Sequence, residues 1–157
     1  MRPGLFEPEQ FDVICLFQVL DHIPHPGALL GECFNMLKPG GFVLCINHNI
    51  EAMSARLLGD RSPIIDIEHT YLYSPTTIVR LLTQHGFQSR HLGSVTNSYS
   101  LHYLAWLAPF PAPLKRIILT WLRDSPIGRI RLAVPLGNLY VVAQKPSNQI
   151  EPTFEAD

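Results

Sequence analysis

Three histidines, His22, His48 and His69, are the side chains best suited to move a proton, and two of them directly follow an acid, in Asp21-His22 and Glu68-His69. An imidazole has an ordinary pKa near neutrality, so it takes up a proton and gives it back at little cost either way. A neighbouring carboxylate can fix the ring and favour its protonated form. Asp21 either orients His22 or is a solvated turn carboxylate. Glu68 and His69 either make a base with its orienting acid or pin a loop to the helix after it. His22 has a plainer role open to it, capping the next helix or bonding to backbone. His48 has no acidic neighbour in sequence and follows Asn47. His25, His85, His91 and His102 have no partner that the sequence names and read as surface or core residues.

Such groups act only where the fold converges them, and residues 11–46 supply that frame. Val13-Ile14-Cys15-Leu16-Phe17, reached through Asp12, has the length and β-branched content of a strand buried on both faces. Leu30, Cys33, Phe34 and Leu37 then recur at i, i+3, i+4 and i+7, one buried helical face. Pro24 and Pro26 mark the start of that helix. Lys38-Pro39-Gly40-Gly41 is expected to close it with a cation, a breaker and two glycines. Residues 42–46 read as a second buried strand. Strand, helix and strand make a right-handed βαβ unit with parallel strands. Open parallel sheets bind ligands beyond the carboxyl ends of their strands, and here those ends carry Gln18, Asp21, His22, Asn47, His48 and Asn49.

Beyond it, residues 52–58 suit a short helix, residues 59–63 a turn and residues 64–73 an irregular segment anchored by Ile64, Ile65 and Ile67. Ser74-Pro75 opens a helix as N-cap and first residue; Ile78, Leu81 and Leu82 line its buried face and Gly86 ends it. Residues 87–95 are a weak strand and residues 139–143 a strong one. The interval 96–137 is too long for a bare hairpin loop and is expected to be a helical insertion with a helix at 114–122. Its aromatics, Tyr99, Tyr103, Trp106, Phe110 and Trp121, form either a lid over an apolar substrate, a surface for a membrane or partner, or a small second core. Residues 1–150 read as a single domain and residues 151–157 as a disordered tail.

Composition narrows the function classes. The formal net charge of −1 comes with no basic stripe, so no nucleic-acid partner is expected. Cys15, Cys33 and Cys45 are odd in number, scattered, and placed in predicted core elements, which suits buried reduced thiols and a cytoplasmic location. Nothing reaches the roughly 18 apolar residues of a membrane span.

Several of these pieces together resemble the second half of a class I S-adenosylmethionine-dependent methyltransferase. Phe11-Asp12-Val13 and Val19-Leu20-Asp21-His22 match the family's fourth strand and the turn after it, and Leu37-Lys38-Pro39-Gly40-Gly41 its signature before strand five. Glu68-His69-Thr70-Tyr71-Leu72-Tyr73-Ser74-Pro75 is similar to its Glu-His to Ser-Pro segment. The resemblance implies a partial Rossmann-like α/β sheet, mostly parallel with an antiparallel last strand. It also implies S-adenosylmethionine as cofactor and a small-molecule acceptor, with methyl transfer to a hydroxyl aided by a base. On that footing His22, His69 and Glu68 are the catalytic candidates, and Phe17, Gln18 and Asp21 the cofactor contacts. Gln18, Asp21 and His22 also resemble a Glu-X-X-Glu-His metal triplet of some ubiquinone-pathway O-methyltransferases. An amide in first place and a shorter acid in second lower its charge and reach, so no metal is expected. The family's Gly-X-Gly-X-X-Gly turn is absent. On the order of 80 to 100 residues of the family's domain would precede the first strand here. The chain is therefore expected to hold an incomplete cofactor site and to expose a sheet edge to which a partner chain could pair.

Overall fold

The computed structural model describes residues 5–59, 62, 64, 65 and 67–147. Strand β1 (Phe11–Phe17) and strand β2 (Leu37–His48) lie side by side and parallel, Val13 opposite Phe42 and Phe17 opposite Ile46. Helix α1 (Pro26–Met36) crosses between them and buries Leu30, Cys33 and Met36. Helix α2 (Met53–Leu58) follows, and then α3 (Pro75–Gln84), buried through Ile78 and Leu82. Strand β3 (Gln88–Ser100) leads into α4 (Leu101–Leu107), α5 (Ala112–Asp124) and a 3-10 turn (Pro126–Arg129), and β4 (Arg131–Gln144) returns. The sheet order is β1-β2-β4-β3, with β4 antiparallel to both neighbours. Three strands thus point one way and the last strand opposes them, the Rossmann-like methyltransferase arrangement the sequence leads one to expect.

Local chemistry explains several boundaries. Ser74 caps α3 reciprocally: its hydroxyl accepts from the Thr77 amide at 3.2 Å, and the Thr77 hydroxyl accepts from the Ser74 amide at 2.8 Å. The Lys-Pro-Gly-Gly stretch differs from expectation, because α1 already ends at Met36 and the four residues belong to β2. There they form a bulge, with Phe11 opposite Leu37 and Val13 opposite Phe42. Gly40 takes φ +82°, and a Cβ on Gly41 would lie 2.9 Å from the Lys38 carbonyl and 3.0 Å from that of Asp12. Lys38 does not serve the helix end; it pairs with exposed Asp12 at 2.8 Å.

Among the described residues, helices cover one face of the sheet only. Leu16, Val43, Cys45, Leu139, Val141 and Ala143 are buried there with residues of α1 and α3. On the opposite face Val13, Phe17 and Phe42 are exposed, and Leu44, Ile46 and Tyr140 are half-buried. The expectation that β1 is buried on both faces, and Cys15 with it, is therefore corrected. Cys15 is an exposed free thiol, because among the described residues no layer covers that side. Cys33 and Cys45 are buried and free, and burial pushes their thiols up to about 11 and about 12.

The insertion is helical but shorter than 96–137. Cross-strand pairing continues to Ser100 opposite Arg131, so β3 and β4 form an arm and only the segment between those residues is its cap. Expectations for residues 1–4 and for the tail at 151–157 lie outside the described residues.

Candidate active site

At the end of β1 the chain turns sharply. Gln18 has φ +51°, a left-handed conformation that a residue with a Cβ seldom adopts, while its amide still donates to the Ile46 carbonyl at 2.7 Å. The turn carries the next residues under the rim of the sheet, where Leu20 and Asp21 are fully buried. A buried carboxylate needs donors, and Asp21 has three. Asn47 donates its side-chain amide at 2.6 Å, and His48 donates both its backbone N–H at 3.0 Å and its ring Nδ1 at 2.8 Å. Burial is the largest influence on the Asp21 carboxyl and raises its pKa. The His48 ring and amide and the Asn47 amide together outweigh it, so the carboxyl lies below its ordinary value.

That bonding fixes the His48 tautomer. With Nδ1–H given to the carboxylate, Nε2 keeps its lone pair. His48 lines a cleft of about 230 Å³ together with Gln18, Ser54, Ile64, Tyr99, Tyr103 and Leu136. The arrangement is a base held by an acid at the wall of a cavity, able to take a proton from a bound hydroxyl and to stabilise the resulting imidazolium.

The segment carrying Glu68 and His69 lies across this turn. The Asp21 carbonyl accepts from the Thr70 and Tyr71 amides at 2.8 and 3.1 Å, and the buried Tyr73 hydroxyl donates to the Leu20 carbonyl at 3.2 Å. Burial, then the nearby Asp21 charge, raises the Tyr73 phenol above its ordinary value. His22 donates Nδ1 to the Glu68 backbone carbonyl at 2.9 Å. The ring of His69 sits between the other two, 4.8 Å from His22 and 4.4 Å from His48 between centroids.

All three histidines singled out in the sequence therefore meet. Within the cluster the Asp21 carboxylate orients His48 rather than its sequence neighbour His22, and the Glu68 carbonyl accepts from His22. Phe17 and Gln18 are exposed at the β1 rim, whereas Asp21 is enclosed with both oxygens engaged. Among the described residues no group of three or more His, Cys, Asp or Glu side chains is disposed to hold a metal ion. Asn47 was visible only as a polar residue at a strand end, and its Oδ1 is buried without a donor among the described residues.

The sequence of residues 3–92 matches the model of a methyltransferase domain family, more than half of the chain. The chain belongs to that family. S-adenosylmethionine is the cofactor of this methyltransferase class. A ubiquinone biosynthesis O-methyltransferase of Aliivibrio fischeri is 29% identical over 106 residues, covering 60% of this chain and 45% of the relative. The methyltransferase domain described here thus spans about half the length of that curated relative. Among solved structures, the methyltransferase in complex with the Haloferax volcanii Trm112 activator superposes with a TM-score of 0.61 at 18% identity, over 92% of this chain and 58% of that one. A SAM-dependent methyltransferase from Thermotoga maritima superposes with a TM-score of 0.54 at 14% identity, over 90% of this chain and 58% of the other. At such identities the likeness is one of fold. No helix among the described residues is long and apolar enough to cross a membrane.

Proposed function

We propose that this chain is the acceptor-side half of an S-adenosylmethionine-dependent O-methyltransferase acting on a small-molecule hydroxyl. The observation that carries the reading is the Asp21–His48 pair, whose histidine is one of the residues lining the cleft. Bound S-adenosylmethionine supplies a methyl group on a sulfonium. His48 Nε2 would take the hydroxyl proton as the acceptor oxygen replaced sulfur on the methyl carbon, with S-adenosylhomocysteine as the leaving group, and Asp21 would hold the imidazolium that results. His69, in ring contact with both His48 and His22, shapes the wall beside it, and the Glu68 carbonyl positions His22. Phe17 and Gln18 present an aromatic face and an amide at the β1 rim, which suits one side of the cofactor. Tyr99, Tyr103 and Leu107 suit a flat apolar acceptor. The ubiquinone-pathway relative makes an aromatic hydroxyl the first acceptor to try, and the three free cysteines suit a reducing cytoplasm.

Methyl-labelled S-adenosylmethionine with a catechol or a phenol, added to an assembly of this chain that binds the cofactor, tests the assignment. Label is expected in the ether product, with His48→Gln slower by about a hundredfold. Faster labelling of an amine, or an unaffected His48→Gln variant, overturns it.

A second reading rests on the open side of the sheet. Parallel sheets are normally covered on both faces, and here Val13, Phe17 and Phe42 are exposed on a face that no helix of the described residues covers. This supports a subunit whose β1 edge pairs with a segment carrying the cofactor-binding half. Calorimetry with S-adenosylhomocysteine tests this reading, since micromolar binding by the chain alone overturns it.

A further inference from the structure

The cap on the β3–β4 arm carries an apolar surface that the fold does not use. Leu114, Ile117 and Trp121 recur at i, i+3 and i+7 on α5, the spacing of a buried stripe, yet all three face solvent, with Ile117 68% and Trp121 60% exposed. Helix α5 packs on α4 and on the 3-10 turn rather than on the sheet, burying Leu122. Trp106 and Phe110 extend the exposed apolar surface onto α4 and the connection after it. Lys115 reaches over the Trp106 ring at 5.8 Å and ties the two helices together.

The charge around this surface is one-sided. Residues 101–131 hold five basic side chains, Lys115, Arg116, Arg123, Arg129 and Arg131, against the single acid Asp124, in a chain whose formal net charge is −1. Arg123, Arg129 and Arg131 line one open cleft of the cap with Ser100 and His102. Arg116 shares an open hollow with Ile117, Thr120 and Trp121. An apolar helical stripe with a cation at its margin and further arginines on the polar side is the pattern of a helix lying in a lipid interface, where apolar side chains sink among acyl chains and cations meet headgroup phosphates. A water-facing surface has no comparable use for a bare Trp-Ile-Leu stripe.

We infer that the cap docks on the surface of an anionic phospholipid bilayer, with Leu114, Ile117 and Trp121 inserted, Arg116 at the margin of the stripe on headgroup phosphates, and the cap's excess of positive charge drawing it to the surface. The site's cleft connects with this surface. Tyr103, which lines the cleft, stacks between Tyr99 at 5.3 Å and Trp106 at 5.9 Å, so an aromatic ladder leads from the cavity to the docked cap.

Both tryptophans of the chain, Trp106 and Trp121, lie in the patch, so intrinsic fluorescence reports on the cap alone. The full chain is floated with vesicles of phosphatidylglycerol and phosphatidylcholine, and separately with vesicles of phosphatidylcholine only. It is expected to float with the anionic vesicles, with a blue shift of tryptophan emission, and to dissociate as salt is raised. Ile117→Asp is expected to lower the vesicle-bound fraction about tenfold, while Ile117→Leu retains binding. Both changes are on an exposed position, and unchanged circular dichroism verifies folding. Equal flotation with the two vesicle types, no flotation, or Ile117→Asp binding like the parent overturns the inference. So does a blue shift that follows protein concentration rather than lipid, which would assign the patch to a second copy of the chain.

Discussion

The Asp21 carboxylate and the His48 imidazole meet at 2.8 Å, although 27 positions and the whole of α1 separate them in sequence. The same carboxylate oxygen takes the His48 backbone N–H at 3.0 Å, so one residue fixes both the end of β2 and the ring that projects from it. His22, the immediate neighbour of Asp21, is turned instead to the Glu68 carbonyl.

Asp21→Asn is expected to cost about 1–3 kcal/mol in urea unfolding, because an amide cannot accept from Asn47 and from both His48 donors at once. Nitrogen NMR of the parent should show His48 protonated at Nδ1, and the variant should lose that preference.

Acid should reveal the same carboxylate. Its folded pKa lies below the 3.8 of an unperturbed aspartate, so its stabilising contribution is complete above that value and is lost as pH falls through the folded pKa. Urea midpoints followed from about pH 6 to about pH 2.5 should drop more steeply in the parent than in Asp21→Asn.

Gln18→Gly should raise stability by about 1 kcal/mol, since glycine adopts the observed φ of +51° without the strain borne by a side chain. If Gln18 contacts the cofactor, calorimetry with S-adenosylhomocysteine on an assembly that binds it should show weaker binding despite the stabler fold.

Gly41→Ala should destabilise by about 1–3 kcal/mol in thermal or urea unfolding. The new methyl group would meet two backbone carbonyls, of Lys38 and Asp12, which can yield only by disturbing the β1–β2 pairing.

Val13→Lys should reduce self-association in light scattering and leave the melting temperature nearly unchanged. The position is exposed on the strand at the sheet's free edge, where a lysine discourages edge pairing.

The βαβ frame was legible because its signals are local. A strand-length apolar run, a helical repeat and a Ser-Pro cap act over a few residues, and the structure realises each. Less local features were not. The alternation that would announce β3 fades at Thr96-Asn97-Ser98, yet cross-strand pairing with Leu132, Ala133 and Val134 carries the strand to Ser100. Cys15 reads as core because apolar residues surround it in sequence, while its exposure depends on which layers cover the sheet. The rim residues could be named from strand ends, but their partners could not. A left-handed backbone at Gln18 sends Asp21 inward to His48 rather than outward beside His22, and residue order alone does not encode that choice of direction.

The β3–β4 arm separates two evolutionary problems. The histidine cluster is built at the carboxyl rim of β1 and β2, while the cap hangs from the paired ends Ser100 and Arg131, so insertions or replacements between those two residues need not reshape the Asp21–His48 pair. Lineages could therefore redirect such an enzyme toward new acceptors or new cellular surfaces by exchanging the tip of a single hairpin.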